Sequence, residues 1–310
     1  MAASPTIPLA IIGPTASGKS SLAMALAAAE PRVEIISADS MQVYRGMDIG
    51  TAKPTLEEQA AVCHHLIDVL DPHEDYTVSR FAEDVGHAVA DISSRGGIPV
   101  LVGGTGLYVR AVVDDFEIPG QYPEARAEIE AEPDTAVLFA RLAELDPVAS
   151  ERMEPTNRRR VVRALEVTVA SGRRFSEWGP GLDAYPPIAT HQLACDRPRP
   201  SLDERINDRY GVQMELGFLA EVQRLAARPE GLSRTARQAL GYRELLLHVE
   251  EGLGLDEALD LAKQRTRRFA RRQQRWFRRD PRIEWVDLDE VEVDSVVGRM
   301  VGLLRAADTN

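Results

Sequence analysis

The chain has 310 residues, a formal net charge of −12, 44% hydrophobic and 28% charged residues, which is enough to bury one large core or two smaller ones. No apolar run is long enough to span a bilayer, and the acidic balance argues against unselective nucleic-acid binding. Cys63 and Cys195 are too few for a disulfide framework or a thiolate metal site, so both read as reduced thiols of a cytoplasmic protein.

Met1-Ala2-Ala3-Ser4-Pro5 carries no basic region and does not read as a secretion signal. The first strand is expected at Leu9–Ile12. Gly13-Pro14-Thr15-Ala16-Ser17-Gly18-Lys19-Ser20 follows it and matches the phosphate-cradling pattern G-x-x-x-x-G-K-[S/T]. A helix-prone stretch from Ser21 to Ala27 comes next, so the motif lies between a strand and a helix, as its chemistry requires. Glycines let the loop turn its N–H groups onto one anion, Lys19 adds a mobile positive charge, and the Ser20 hydroxyl is placed to hold Mg2+.

Further strands are expected at Glu34–Ser37, Leu66–Val69, Val100–Val102 and Gln192–Ala194, with a helix at Ser79–Ser93. This alternation predicts an α/β fold with a parallel sheet. Between Pro119 and about Pro187 the strand-like runs vanish, and helices are expected at Glu124–Glu132, Thr135–Leu145 and Arg159–Ser171. Turn-rich borders mark this stretch as a helical insertion. Helices then follow at Leu202–Ala226, Arg234–Val249 and Asp256–Arg279, the last ended by Pro281.

That last helix places Asp256, Glu257 and Asp260 near its start and its arginines near its end, as the helix dipole favours. Arg265 to Arg279 holds eight arginines and no acid, so removing those eight charges leaves −20 on the remainder. Helical spacing puts Arg268, Arg271, Arg272, Arg275 and Arg279 on one face, with Phe269 and Trp276 on another. Arginine with aromatic residues suits phosphate contacts and base stacking.

Several other strings share a pattern with the phosphate loop. They are Ser37 to Pro54, containing Asp39-Ser40-Met41-Gln42; His64-His65-Leu66-Ile67-Asp68, read as the third strand; and Gly103-Gly104-Thr105-Gly106-Leu107-Tyr108. Arg237 to Arg243 and Gln264 to Gln273 complete the set. Together these motifs closely resemble the bacterial tRNA dimethylallyltransferases, from about Leu9 to Pro281. The resemblance implies a P-loop kinase-like parallel sheet core with a mostly helical insertion domain. Residues 1–118 and 190–310 would form the core and its C-terminal tRNA-binding helices, and 119–189 the insertion, which would also touch tRNA. The implied reaction moves a dimethylallyl group from dimethylallyl diphosphate to N6 of the adenosine 3′ of the anticodon, tRNA position 37.

The resemblance makes Asp39 the general base, and its position past the carboxyl end of the second strand agrees with where open α/β sheets bind ligands. By resemblance Arg209 contacts the diphosphate; Arg205, one turn earlier, is placed to share that task. Thr105 is placed near the target adenosine, and Asp39-Ser40-Met41-Gln42 would read that base once it is turned outward. A helix cap is the competing role for Thr105, and a helix cap or a place beside Mg2+ for Asp39. The tRNA contacts would come from Arg159, Arg160 and Arg163 with Arg126 in the insertion, from Arg237, Gln238, Gly241 and Tyr242, and from Arg268, Arg271, Arg272 and Arg275.

The implied cofactor is Mg2+, and the implied partners are tRNA through its anticodon stem-loop and dimethylallyl diphosphate, for a cytoplasmic monomer with no membrane partner. His64 and His65 are not read as metal ligands, because neighbours in a strand face opposite ways and no further His or Cys stands at ligand spacing. Cys63 departs from the proline this family usually has there. Glu128 with Glu132, and Glu250 with Glu251, read as solvated faces. The competing reading of the chain is a P-loop small-molecule or nucleoside kinase.

Overall fold

A computed structural model describes residues 7–308, the last of them by its backbone alone; the Met1–Pro5 stretch lies outside the described residues. The chain runs β1 (Leu9–Ile12), α1 (Lys19–Ala29), β2 (Val33–Ala38), α2 (Leu56–Ala61), β3 (His64–His65), α3 (Val78–Ser94), β4 (Ile98–Gly103) and α4 (Gly106–Val113). Four helices of the insertion follow: α5 (Pro123–Glu130), α6 (Thr135–Leu145), α7 (Pro147–Glu151) and α8 (Arg158–Ser171). The chain then re-enters the sheet with β5 (His191–Asp196). It continues as α9 (Arg199–Glu215), α10 (Phe218–Ala226), α11 (Arg234–Arg237), α12 (Tyr242–Glu251), α13 (Leu255–Phe277), β6 (Ile283–Asp287) and α14 (Val293–Asp308).

The strands form one parallel sheet in the order β3-β2-β4-β1-β5-β6. Burial on both faces explains why β1, β2 and β4 read as near-continuous apolar runs. Successive residues serve opposite faces. Ala10, Ile12, Ile36, Leu101 and Ala194 join the core that includes α3, α9, α10, α12 and α13. Leu9, Ile11, Ile35, Val100, Leu193 and Cys195 join the core beneath α1 and α14. Each fully buried leucine or isoleucine contributes about 1.5–3 kcal/mol relative to exposure.

The structure corrects several expected boundaries. The third strand is His64–His65, paired to Ile35 and Ile36, rather than Leu66–Val69. Leu66 and Asp68 have φ of 61° and 54°, which turns the chain out of the ladder just where the apolar run suggested it would continue. The helix expected over Leu202–Ala226 is two, parted at Gly217 with φ 97°. The helix expected over Arg234–Val249 is also two, parted at Gly241 with φ 84°. The arginine helix stops at Phe277, ahead of Pro281. Its 23 residues make it about 35 Å long. β6 and α14 were not expected, because the five-residue strand Ile-Glu-Trp-Val-Asp sits among charges that mask its apolar positions.

The insertion, residues 114–186, is a compact unit of its own, a few residues offset from the expected 119–189. Ile129, Leu138, Leu142, Val161, Val162 and Leu165 make its core. Three of these four helices start on side-chain caps: Asp134 accepts from the Ala136 amide, Asp146 from Ala149 and Asn157 from Arg160.

Candidate active site

The carboxyl ends of β1, β2, β4 and β5 meet at one edge of the sheet, and the phosphate loop leaves β1 there. Gly13 has φ 137° and Gly18 φ 103°, and Ala16 takes φ 64° despite its side chain. A Cβ at Gly13 would lie 2.4 Å from the Cys195 carbonyl oxygen on β5, so only glycine lets the loop pass this close to its neighbour strand. The amides of Ala16, Gly18, Lys19 and Ser20 find no acceptor among the described residues. Four unclaimed N–H groups at the start of α1, with the positive end of its dipole, form an anion nest. Ser17 Oγ is buried beside them with no hydrogen-bond partner.

Three arginines, one just after β5 and two on α9, collar this loop. Arg209 donates to Thr15 Oγ1 at 3.2 Å, Arg205 to the Ala16 carbonyl at 2.8 Å and Arg197 to the Ser17 carbonyl at 3.0 Å. Each still has N–H groups to spare, although Arg197 also pairs with Asp289. Burial lowers the Arg209 pKa, against the opposing pull of Asp39. Lys19 Nζ donates to the Pro14 carbonyl at 2.7 Å. Burial lowers its pKa to about 8, opposed by Asp39 and reinforced by Arg209. Cys195 is pushed up to about 11 by its own burial, so it stands there as a neutral thiol.

Asp39 follows β2 and accepts from the Met41 amide through Oδ1 at 2.8 Å, a turn contact rather than a helix cap. It lies within electrostatic reach of Lys19, Arg209 and Tyr108. Thr105 follows β4 and precedes α4; its hydroxyl makes no hydrogen bond among the described residues, so the helix-cap role is not the one it plays here. Ser40 and Met41 are half-buried on the same turn. Gln42 is spent inside the protein: Oε1 accepts from Ser37 Oγ at 2.9 Å, and Nε2 donates to the Ala52 carbonyl at 3.2 Å.

The loop behind Gln42 is held by two charges the sequence reading missed. Glu221, 1% exposed, accepts from the amides of Asp48, Ile49 and Gly50 and from the Tyr242 hydroxyl. Lys53 donates to Asp48, to Asp68 and to the Tyr44 carbonyl. Tyr242 and Gly241 were expected at the RNA surface, and the structure corrects this. Tyr242 is buried against Phe218, with ring centroids 4.9 Å apart, and a Cβ at Gly241 would meet the same ring at 2.9 Å. Their motif builds the core beneath the loop.

The expected RNA-binding arginines fall into two sets. Arg268, Arg272 and Arg275 form an exposed stripe on α13, where Arg268 and Arg275 have no partner among the described residues and Arg272 lies over Phe269. Arg271 faces α9 instead, 3.6 Å from Asp203, and Arg279 lies over Trp276. Arg237 pairs with Glu250, and Gln238 accepts from Arg243. Glu250 is therefore an ion-pair partner, not simply a solvated acid. In the insertion Arg159 and Arg160 are exposed and have no partner among the described residues. Arg163 is pinned at 2.7 Å to both Glu166 and the Pro119 carbonyl, and Arg126 pairs with Glu130 and lies 3.6 Å from Glu166. Arg158, not singled out from sequence, donates to the carbonyls of Glu130, Glu132 and Pro133.

His65 does acquire neighbours that spacing did not reveal, because β2 supplies one across the sheet. Its Nε2 lies 2.7 Å from Glu34 and 3.5 Å from Cys63 Sγ. Arg95 already bonds both Glu34 oxygens and, with His65, holds that carboxyl down at about 2. A cation there would meet a guanidinium.

Comparison with known proteins adds the family. The model described as "IPP transferase" matches residues 42–280, and that described as "Isopentenyl transferase" matches residues 7–68. A protein of Kineococcus radiotolerans named tRNA dimethylallyltransferase is 49% identical over 293 residues, 91% of each chain. The full-length tRNA isopentenylpyrophosphate transferase structure from Bacillus halodurans is 35% identical with a TM-score of 0.69, covering 98% of this chain and 99% of that one. A eukaryotic dimethylallyltransferase described as acting on tRNA is 28% identical with a TM-score of 0.76, covering 91% of this chain and 74% of that one.

Proposed function

The chain belongs to the IPP transferase family and is a tRNA prenyl transferase, and from that premise we propose that it moves a dimethylallyl group from dimethylallyl diphosphate to N6 of adenosine 37. The observation that carries the reading is the nest of four unclaimed amides, collared by Arg197, Arg205 and Arg209, with Asp39 beside it. The nest, Lys19 and the collar bind the diphosphate and stabilise its charge as the allylic C–O bond breaks. N6 of the adenine forms the new bond to that carbon. Asp39 accepts the N6 proton through its second oxygen, Oδ1 being held by the Met41 amide. The unengaged Thr105 hydroxyl is available to the base.

Mg2+ fits the oxygen donors here. The Ser20 hydroxyl is exposed at the loop, the Asp39 carboxylate is nearby, and the buried Ser17 hydroxyl is unsatisfied. Ser20 would hold the ion, which would supply further charge neutralisation to the leaving diphosphate. RNA contact falls to the exposed arginines with no anionic partner among the described residues: Arg268, Arg272 and Arg275 on α13, and Arg159 and Arg160 in the insertion. The target base must leave its stack to reach the site, and contacts at Asp39 to Met41 and Thr105 offset that loss. Among the described residues no helix is long and apolar enough to cross a membrane.

The test is mass spectrometry of nucleosides from tRNA incubated with the protein, Mg2+ and labelled dimethylallyl diphosphate, in parallel with labelled ATP. N6-isopentenyladenosine carrying the prenyl label is expected, and Asp39→Ala should lower turnover at least a hundredfold. Transfer of phosphate from ATP would instead establish the kinase reading, and a loss under tenfold in Asp39→Ala would remove Asp39 as the base.

A further inference from the structure

One buried side chain of α13 reaches both the phosphate loop and the turn before Thr105. Gln273 is 8% exposed and points inward, away from the Arg268, Arg272 and Arg275 stripe. Its Oε1 accepts from the Thr15 amide at 2.9 Å, and its Nε2 donates to the Gly104 carbonyl at 2.7 Å. Thr15 belongs to the phosphate loop, and its hydroxyl receives Arg209. Gly104 comes immediately before Thr105. A Cβ on Gly104 would stand 2.4 Å from Gln273 Nε2 and 3.0 Å from the Gly13 carbonyl oxygen, so the contact exists only because residue 104 lacks a side chain. One turn on, Trp276 closes over Gly106, where a Cβ would meet the indole at 2.2 Å.

We propose that Gln273 is a positioning residue that sets the phosphate loop and the Gly104–Thr105 turn in register with the arginine helix; this rests on the reading that the loop holds the diphosphate and α13 the RNA. The amide is suited to the task because it offers one acceptor and one donor side by side, and both are used. It takes the Thr15 amide and leaves those of Ala16, Gly18, Lys19 and Ser20 for the anion. RNA docked on the outer face of α13 is thereby aligned with a donor bound behind its inner face. Methionine fills the same volume with neither hydrogen bond, and glutamate keeps the acceptor but regains a donor only when protonated.

The experiment compares the parent protein with Q273M and Q273E. Inorganic diphosphate and an anticodon stem-loop are titrated separately, and turnover is measured at saturating donor and tRNA. For Q273M, turnover should fall at least tenfold while both separate affinities stay within about threefold of the parent, a split that general loosening does not produce. For Q273E, activity relative to the parent should rise as pH drops from 8 to 6, because the buried carboxyl takes up a proton and restores the bond to Gly104. Q273M turnover within threefold of the parent, or a Q273E ratio flat with pH, overturns the proposal. Should Q273M not fold, the Q273E profile decides alone. A parent that binds diphosphate and makes product while the variants match it sinks only Gln273, whereas a parent that makes no product sinks the functional reading itself.

Discussion

Two groups of arginines are assigned to phosphate, the collar to the proposed diphosphate and the stripe to the proposed RNA, and they are built differently. The collar of Arg197, Arg205 and Arg209 is fixed to the loop by hydrogen bonds to three successive residues, and Arg209 is buried deeply enough to lower its pKa. The stripe of Arg268, Arg272 and Arg275 stands in solvent with no anionic partner among the described residues. A desolvated, preorganised guanidinium acts strongly on one ligand over a short range and is poorly screened by salt. A solvated stripe acts on a polyanion by releasing its counterions, so its contribution is spread out and salt-sensitive. On the proposed function the same residue type serves chemistry in one place and docking in the other, and the difference is attachment: the collar arginines are hydrogen-bonded to the loop and the stripe stands in solvent.

The largest effect should come from breaking the collar. Arg209→Ala removes a half-buried charge near Asp39 and the Thr15 contact together, and prenyl-donor turnover should fall by at least a hundredfold, about 2.7 kcal/mol of barrier. That loss should be equal at 50 and 200 mM salt while tRNA affinity holds; unchanged donor binding and turnover would take Arg209 out of the site. A smaller effect is expected from the stripe. Replacing Arg268, Arg272 and Arg275 together with alanine should weaken tRNA binding about tenfold or more at low salt, and flatten the slope of log affinity against log salt by about two to three. Donor affinity should stay as it was, and an unaltered salt slope would show that RNA docks elsewhere.

The smallest effect is a pH dependence within the nest. Lys19, lowered by burial to about 8, is charged below that pH and neutral above it in the free protein. Diphosphate favours the charged form, so its affinity should be level below about pH 8 and decline above it, by up to tenfold per unit. The stability of the free protein should move the other way between about 8 and 10.5, because the unfolded chain then holds the proton that folded Lys19 has lost. Calorimetric titration and denaturant melts across pH 7 to 10 check both signs, and Lys19→Met should abolish both trends.

Local pattern carried much of this architecture. The phosphate loop was legible because its chemistry is contiguous, from Gly13 to Ser20. Helices such as α6 and α13 were legible because their apolar and charged positions repeat with the helical period. The apolar stretch Leu66–Val69 misled because the two positive φ angles that turn it out of the sheet follow from tertiary packing, not from composition. Periodicity likewise ran over Gly217 and Gly241, where a left-handed residue splits one apparent helix into two.

Which polar groups are occupied was a different kind of question. Arg163 and Arg159 read alike on paper, yet Glu166 and the Pro119 carbonyl claim the first and nothing among the described residues claims the second. Tyr242 read as a surface aromatic until Phe218 and Glu221 enclosed it. The amino-acid order by itself determined the anion-binding loop, the parallel α/β plan and the family. The tertiary structure decided which arginines remain without a partner among the described residues, which carboxylates hold the loops, and that a glutamine 258 residues from Thr15 is bonded to the phosphate loop. The physical reason is that helix and strand formation depend on neighbours in the chain, whereas a buried hydrogen bond depends on whichever distant group folding brings within 3 Å.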